Sequence, residues 1–271
     1  MKHCAVLALL SVLTGCGITG CGSDGASTGS SAAALKGVAY SPNSGRCEDL
    51  SNLGLAWYYN WSGSSDCVGG PEYVPQIWGS WDKLDWVPLP SKAVSKGASS
   101  LLGFNEPDGG DQANLSVDEA LALWPEFQKT SVQLGSPASA QRVWLEGFMS
   151  GVAAQQLRVD FIAMHWYGWD PGSCNDVKSL EDKITWAEQW HRPIWITEWS
   201  CRAQPAAVSE KFYADAIVMF RSHPQVQRYA WFLTRSASDA SHTDFANATL
   251  LDANGSPSAL GNRYIAAPAY R

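Results

Sequence analysis

Eight short apolar runs alternate with longer helical patterns between residue 35 and the end of the chain. The runs cover 35–40, 54–59, 73–78, 100–105, 133–137, 161–167, 194–199 and 228–233. Helix-like stretches follow at 116–130, 141–156, 179–190, 205–222 and 258–266. Apolar runs of strand length separated by helices imply βα units and a parallel sheet. Ser116 with Glu119 three residues on has the spacing of a capping box and marks one helix start. The connections at 45–52 and 60–71 read as short and irregular, and 79–99, with two prolines, is ambiguous. Eight such units in 271 residues predict a single-domain (β/α)8 barrel. An open doubly wound sheet is the alternative. The first run continues Val38-Ala39-Tyr40-Ser41-Pro42-Asn43, however, with no Gly-rich phosphate loop, which argues against a dinucleotide enzyme.

The first 15 residues read as a lipoprotein-type signal peptide. Lys2 and His3 precede a nine-residue apolar stretch at 5–13, too short to span a bilayer. Thr14-Gly15-Cys16 then has the form of a bacterial lipoprotein processing site. Cys16 is the expected lipidation point, with Cys21 in reserve. Residues 16–34, rich in Gly, Ser and Ala, form a flexible tether. The catalytic domain is expected over 35–271. The chain should therefore be exported and meet a membrane only through this anchor.

Four cysteines remain beyond the leader and tether: Cys47, Cys67, Cys174 and Cys201. They allow three pairings. Cys47 and Cys67 flank the second run, whereas Cys174 follows the sixth and Cys201 the seventh. That topology favours 47–67 and 174–201, in keeping with export. The five histidines are scattered and no cysteine pair has zinc-site spacing, so neither a metal nor an organic cofactor is expected. The 19 Lys+Arg against 26 Asp+Glu leave a net charge of −7 without a basic cluster, which argues against nucleic acid as partner. A monomer is expected. The 14 tryptophans are unusual, because flat indole faces suit sugar rings.

Reacting groups in such barrels sit where strands end. The fourth run ends Asn105-Glu106-Pro107-Asp108 and the seventh Thr197-Glu198-Trp199. A Glu closing an apolar strand is a poor choice for packing alone. Two of them, on opposite sides of the barrel mouth, can face each other. Glycoside hydrolysis needs such a pair: one group protonates the leaving oxygen, and the other attacks or activates water.

The blocks WYYNW (57–61), LLGFNEPD (101–108), FIAMHWYG (161–168) and PIWITEWS (193–200), in this order, resemble glycoside hydrolase family 128, endo-β-1,3-glucanases within the large clan of retaining (β/α)8 glycosidases. The resemblance implies Glu106 as acid/base, Glu198 as nucleophile, retention of configuration and β-1,3-glucan as partner. It further implies that Asn105 binds the sugar 2-hydroxyl and that Tyr167 donates to Glu198. His165 would touch substrate or the acid. Burial among tryptophans and the charge of Glu198 are expected to raise the pKa of Glu106. The two Glu alone do not distinguish β-1,3-glucan from another β-glucan or mannan, and a glucan-binding protein of the same fold is the rival class.

Trp57, Trp61, Trp78, Trp81, Trp166, Trp169, Trp199 and Trp231 are candidate sugar platforms, with Trp199 and Trp231 expected nearest the cleaved bond. About half should reach glucan, since strand alternation turns the rest away. Asn60 joins the candidate substrate contacts. Trp124, Trp144, Trp186 and Trp190 fall on helices and are assigned to packing.

Overall fold

All pairings between the eight strands are parallel, and they run in one ring. The computed structural model describes residues 35–80, 89–235 and 242–267. Strand β1 (Leu35–Ala39) lies between β2 (Trp57–Tyr59) and β8 (Val226–Trp231). β2 pairs with β3 (Glu72–Tyr73), β8 with β7 (Ile194–Cys201), and β7 with β6 (Ile162–Gly168). β4 (Ser100–Leu101) pairs with β5 (Gln133–Leu134). Parallel bridges Gln76–Leu102 and Gly135–Phe161 join these two to β3 and β6. Ile77 N donates to Leu102 O at 3.1 Å and Ser136 N to Phe161 O at 3.0 Å, so the ring closes. This is the (β/α)8 barrel expected from the eight runs.

Seven helices are found among the described residues: α1 (Cys47–Asn52), α2 (Leu89–Val94), α3 (Val117–Gln128), α4 (Arg142–Ala154), α5 (Lys178–Ala187), α6 (Ala206–Met219) and α7 (Ala259–Ala266). α1 corrects the expectation of an irregular 45–52 connection. Asp49 accepts from Arg46 N at 2.9 Å and starts that helix where no Ser or Thr marks it. The capping box on α3 forms as its spacing predicts: Glu119 N donates to Ser116 Oγ at 3.2 Å and Ser116 N to Glu119 Oε2 at 2.9 Å. The signal peptide, the tether, Cys16 and Trp81 lie outside the described residues.

The core has two layers. Inside the barrel, Ala39, Trp57, Leu102, Phe161, Ala163 and Trp195 pack together, with Phe161 stacked on Trp195 at 3.8 Å. Between barrel and helices lie Val38, Tyr58, Phe104, Met164 and Ile196, packed on residues such as Trp124 and Phe148. Each buried aromatic of this kind contributes about 2–3 kcal/mol. Lys36 is fully buried at the amino end of β1. Its ammonium donates to Tyr264 O at 2.5 Å and Ala267 O at 2.7 Å, which binds the carboxyl end of α7 to the barrel.

One irregularity decides where the site falls. On β7, Trp195 faces the lumen and Ile196 the helices. Met164 pairs with Ile196, but the next residue, His165, pairs with Glu198. Thr197 is thus one extra residue, a β-bulge. Past it the alternation is reset, so Glu198 turns inward and Trp199 outward.

The structure pairs Cys47 with Cys67 (Cα–Cα 5.3 Å) and Cys174 with Cys201 (Cα–Cα 6.1 Å). The first joins α1 to the β2–β3 loop, and the second joins the β6–α5 loop to the end of β7. No helix among the described residues is long and apolar enough to cross a membrane.

Candidate active site

A cleft of about 360 Å³ opens over the carboxyl ends of the strands. Its walls carry Trp61, Trp78, Asn105, Glu106, Tyr167, Trp169, Glu198 and Phe232. A second hollow of about 490 Å³ adjoins it and shares Trp61 and Trp78, so the groove continues past the carboxylates.

Glu198 is 5% exposed at the cleft floor. Three donors converge on its carboxylate. Tyr59 Oη donates to Oε1 at 2.9 Å and Trp61 Nε1 to Oε1 at 2.7 Å, while Tyr167 Oη donates to Oε2. Tyr59 comes from β2, Trp61 from the turn after it and Tyr167 from β6. Such convergence fixes the carboxylate in one rotamer. Burial first, then the charge of Glu198, pushes both tyrosine hydroxyls well above their usual range, so they remain donors.

Glu106 sits on the facing rim, with its side chain 22% exposed. Its φ of 38° lies in the left-handed region, where a side chain is strained. Glu106 N donates to Ala138 O at 3.0 Å, and Asp108, two residues on, accepts from Ala140 N at 3.0 Å and Gln141 N at 2.6 Å. The connection between β5 and α4 thereby holds the strained residue in place. Oxygens of Glu106 and Glu198 lie within 4.8 Å of each other, together with a ring nitrogen of His165. Two carboxylates this close, opening on a groove, have the spacing of double displacement at an acetal carbon; inverting pairs stand about 6.5–9.5 Å apart.

His165 is buried between the two. Its Nδ1 is 2.9 Å from Glu106 Oε1 and its Nε2 is 3.3 Å from Glu198 Oε1. This contact overturns the expectation of a raised Glu106. Burial pushes that carboxyl up, but the hydrogen bond and charge of His165, with Lys183 nearby, hold it below its ordinary value. Lys183 on α5 is itself brought down to about 8, chiefly by burial and secondarily by Arg142.

Asn105 is buried at the end of β4. Its Nδ2 donates to Gln112 Oε1 at 3.0 Å, and its Oδ1 has no protein partner at the cleft wall.

Residues 37–264 match the family described as glycosyl hydrolase catalytic core. The fold superposes on an endo-β-1,3-glucanase of glycoside hydrolase family 128, subgroup I, from Amycolatopsis mediterranei, crystallised with laminaripentaose. Identity is 33% and the TM-score 0.73, over 86% of this chain and 99% of that one. The chain belongs to glycoside hydrolase family 128. A subgroup II endo-β-1,3-glucanase of this family, from Sorangium cellulosum, is 28% identical with a TM-score of 0.69, over 86% and 98% of the two chains. Alkali-sensitive linkage protein 1 of Schizosaccharomyces pombe is 32% identical over 256 residues. This family 128 chain spans 45% of that relative's length.

Of the predicted site residues, the fold gathers Glu106, Glu198, Asn105, His165, Tyr167, Trp78 and Trp169 at the cleft. Five others are corrections. Trp199 and Trp231 are fully buried between barrel and helices, packed edge to face at 4.7 Å. The bulge at Thr197 turned Trp199 away, and Trp231 pairs with it on β8. Trp166 stacks on Phe212 of α6 at 4.9 Å in the same layer. Trp57 faces inward but lies deep in the lumen, where Nε1 donates to Leu35 O at 3.2 Å. Asn60 orders its own loop, accepting from Tyr73 Oη at 2.7 Å and donating to Ser64 O at 3.1 Å.

Three features escaped the sequence reading. Tyr59 is an additional partner of Glu198. Trp61, expected as a platform, is also a hydrogen-bond donor to the carboxylate, and its φ of 60° aims it there. Phe232, next to Trp231, is the β8 aromatic in the cleft, with His242 and Phe245 beyond it. The signal for Tyr59 was present, since its spacing from inward-facing Trp57 puts both on one strand face.

Proposed function

We propose that this chain is a retaining endo-β-1,3-glucanase in which Glu106 is acid/base and Glu198 nucleophile. The observation that carries the reading is that an oxygen of each carboxylate lies within 4.8 Å of the other across an aromatic-walled groove. Glu198, oriented by Tyr59, Trp61 and Tyr167, attacks the anomeric carbon. Glu106, at the more open rim, protonates the leaving oxygen and later removes a proton from the attacking water. Asn105 lines the cleft, and its buried carbonyl oxygen, which has no protein donor, is assigned to accept a hydrogen bond from a sugar hydroxyl. Trp61, Trp78 and Trp169 present ring faces to sugar C–H groups. The relatives named for β-1,3-glucanase activity, one of them with laminaripentaose bound, support the linkage. No cofactor enters this chemistry.

We place the enzyme outside the cytoplasm. The two disulfides fit an oxidising compartment. Lipid attachment at Cys16 and a monomeric state complete the proposal.

Product analysis on laminarin, curdlan, barley β-glucan and mannan tests it. Short β-1,3 oligosaccharides from the first two are expected, with the anomeric configuration retained at early times. Glu198→Ala should abolish turnover yet keep glucan binding, and Glu106→Ala should act only on substrates with good leaving groups. Laminarin binding without products from wild type would turn the assignment to a glucan-binding protein. Products from mannan or barley glucan alone would discard the substrate.

A further inference from the structure

His165 stands between the acid and the nucleophile and touches both. Nδ1 lies 2.9 Å from Glu106 Oε1, and Nε2 lies 3.3 Å from Glu198 Oε1. The ring is 2% exposed. A neutral imidazole carries one N–H, so it can donate to one carboxylate and must present a lone pair to the other. An imidazolium turns an N–H toward each carboxylate. With both carboxylates ionised, that form of the trio has a net charge of −1. The form ready for catalysis, with Glu106 protonated, His165 neutral and Glu198 ionised, also has a net charge of −1. The two differ only in the place of one proton along the Nδ1···Oε1 contact.

We propose that His165 stores the proton that Glu106 delivers to the glycosidic oxygen, the resting site being carboxylate, imidazolium, carboxylate. The inference rests on Glu106 being the acid. The cycle balances. The proton passes from His165 Nδ1 to Glu106 Oε1 and then to the leaving oxygen as Glu198 bonds to the anomeric carbon. Water next attacks that carbon and gives a proton to Glu106, and the Glu198–carbon bond breaks. The proton returns to His165, and the resting state is restored. The imidazolium beside Glu106 offsets part of the cost of keeping that carboxylate charged in a partly buried site.

The surrounding groups agree. Burial lowers the affinity of His165 for a proton, but the charge of Glu198, followed by the hydrogen bond and charge of Glu106, outweighs it and raises the imidazole above its usual range. Lys183 on α5 opposes this from outside the pair. Tyr59 on β2 and Tyr167 on β6 stay neutral and supply no charge. Nε2 faces Glu198 without a well-aligned hydrogen bond, whereas Nδ1 is engaged with Glu106, so the transferable proton lies on the Glu106 side.

Histidine-selective 15N NMR of the full wild-type chain, assigned with His165→Gln, tests the resting state. Both ring nitrogens of His165 should be protonated at neutral pH, and the charge should weaken in Glu106→Gln. A neutral His165 in wild type at neutral pH overturns the proposal. The second test is the pH profile of kcat/KM. In His165→Gln only Glu106 can carry the proton, so the basic limb on laminarin should move down by about one pH unit. An aryl β-laminarioside with a good leaving group, which needs little proton donation, should lose at least about tenfold less rate than laminarin. Equal losses on both substrates with an unmoved limb assign His165 a purely structural role and overturn the proposal. Failure of wild type on both substrates would instead remove the glucanase reading, and the NMR result would still stand by itself.

Discussion

Trp61 Nε1 donates a 2.7 Å hydrogen bond to Oε1 of Glu198, reaching the carboxylate from a left-handed residue at the end of β2. The indole is thus both a wall of the groove and part of what orients the nucleophile. A hydrogen bond to a charged group is worth about 1.5–3 kcal/mol. Trp61→Phe keeps a flat face and removes the donor. We expect kcat on laminarin to fall about 10- to 100-fold with KM changed little. A fall confined to KM would mean that the residue serves only as a platform.

Two tryptophans separate groove from core. Trp169 is 57% exposed at the cleft edge and lies under the guanidinium of Arg202 at 4.3 Å. Trp169→Ala should raise KM by about 3- to 10-fold, the loss of roughly one aromatic contact, and leave Tm nearly unchanged. Trp199 is fully buried. Trp199→Ala should destabilise the fold by about 3–5 kcal/mol, read as a drop in Tm or denaturant midpoint. Reversed outcomes at the two positions would refute the division into layers.

Gly103 precedes the catalytic strand end and abuts β5. A Cβ there would meet Pro137 N at 2.8 Å and Gly135 O at 2.9 Å, both backbone atoms. Neither can move without spreading β4 from β5, which carries Glu106 with it. Gly103→Ala should cost about 1–3 kcal/mol of stability and reduce kcat more than KM. A variant with wild-type Tm and kcat would show that the strands are not held so tightly.

The Glu106–His165 contact should also appear in stability against pH. Glu106 is held below its ordinary value, so its contribution is present above the unfolded carboxyl pKa and is lost as pH falls through the folded one. His165 is raised, so its contribution is present below the unfolded imidazole pKa and is lost as pH rises through the folded one. Glu106→Gln should therefore lower Tm between those limits and flatten the acid-side decline. Parallel Tm curves for variant and wild type across acid to mildly alkaline buffer would contradict the pairing.

The sequence by itself determined the eight βα units and the two carboxylates at the ends of the fourth and seventh strands, and it favoured the disulfide pairs that the structure forms. Each of these rests on local pattern or on topology: apolar runs of strand length, Glu where packing has no use for it, cysteines on neighbouring loops. The phase of the strands was decided only in the tertiary structure. Side chains alternate along a strand, so a single extra residue exchanges lumen for outer layer. Thr197 is such a residue, and through it Glu198 points inward while Trp199 joins the helix layer with Trp231 and Trp166. No local feature of Ile196-Thr197-Glu198 announces the bulge, because it comes from matching β7 to the registers of β6 and β8 at once. The convergence of Tyr59, Trp61 and Tyr167 on Glu198 was decided at the same level. Those donors come from two separate parts of the chain, more than 100 residues apart, and only the closed ring brings them within hydrogen-bonding distance of one carboxylate.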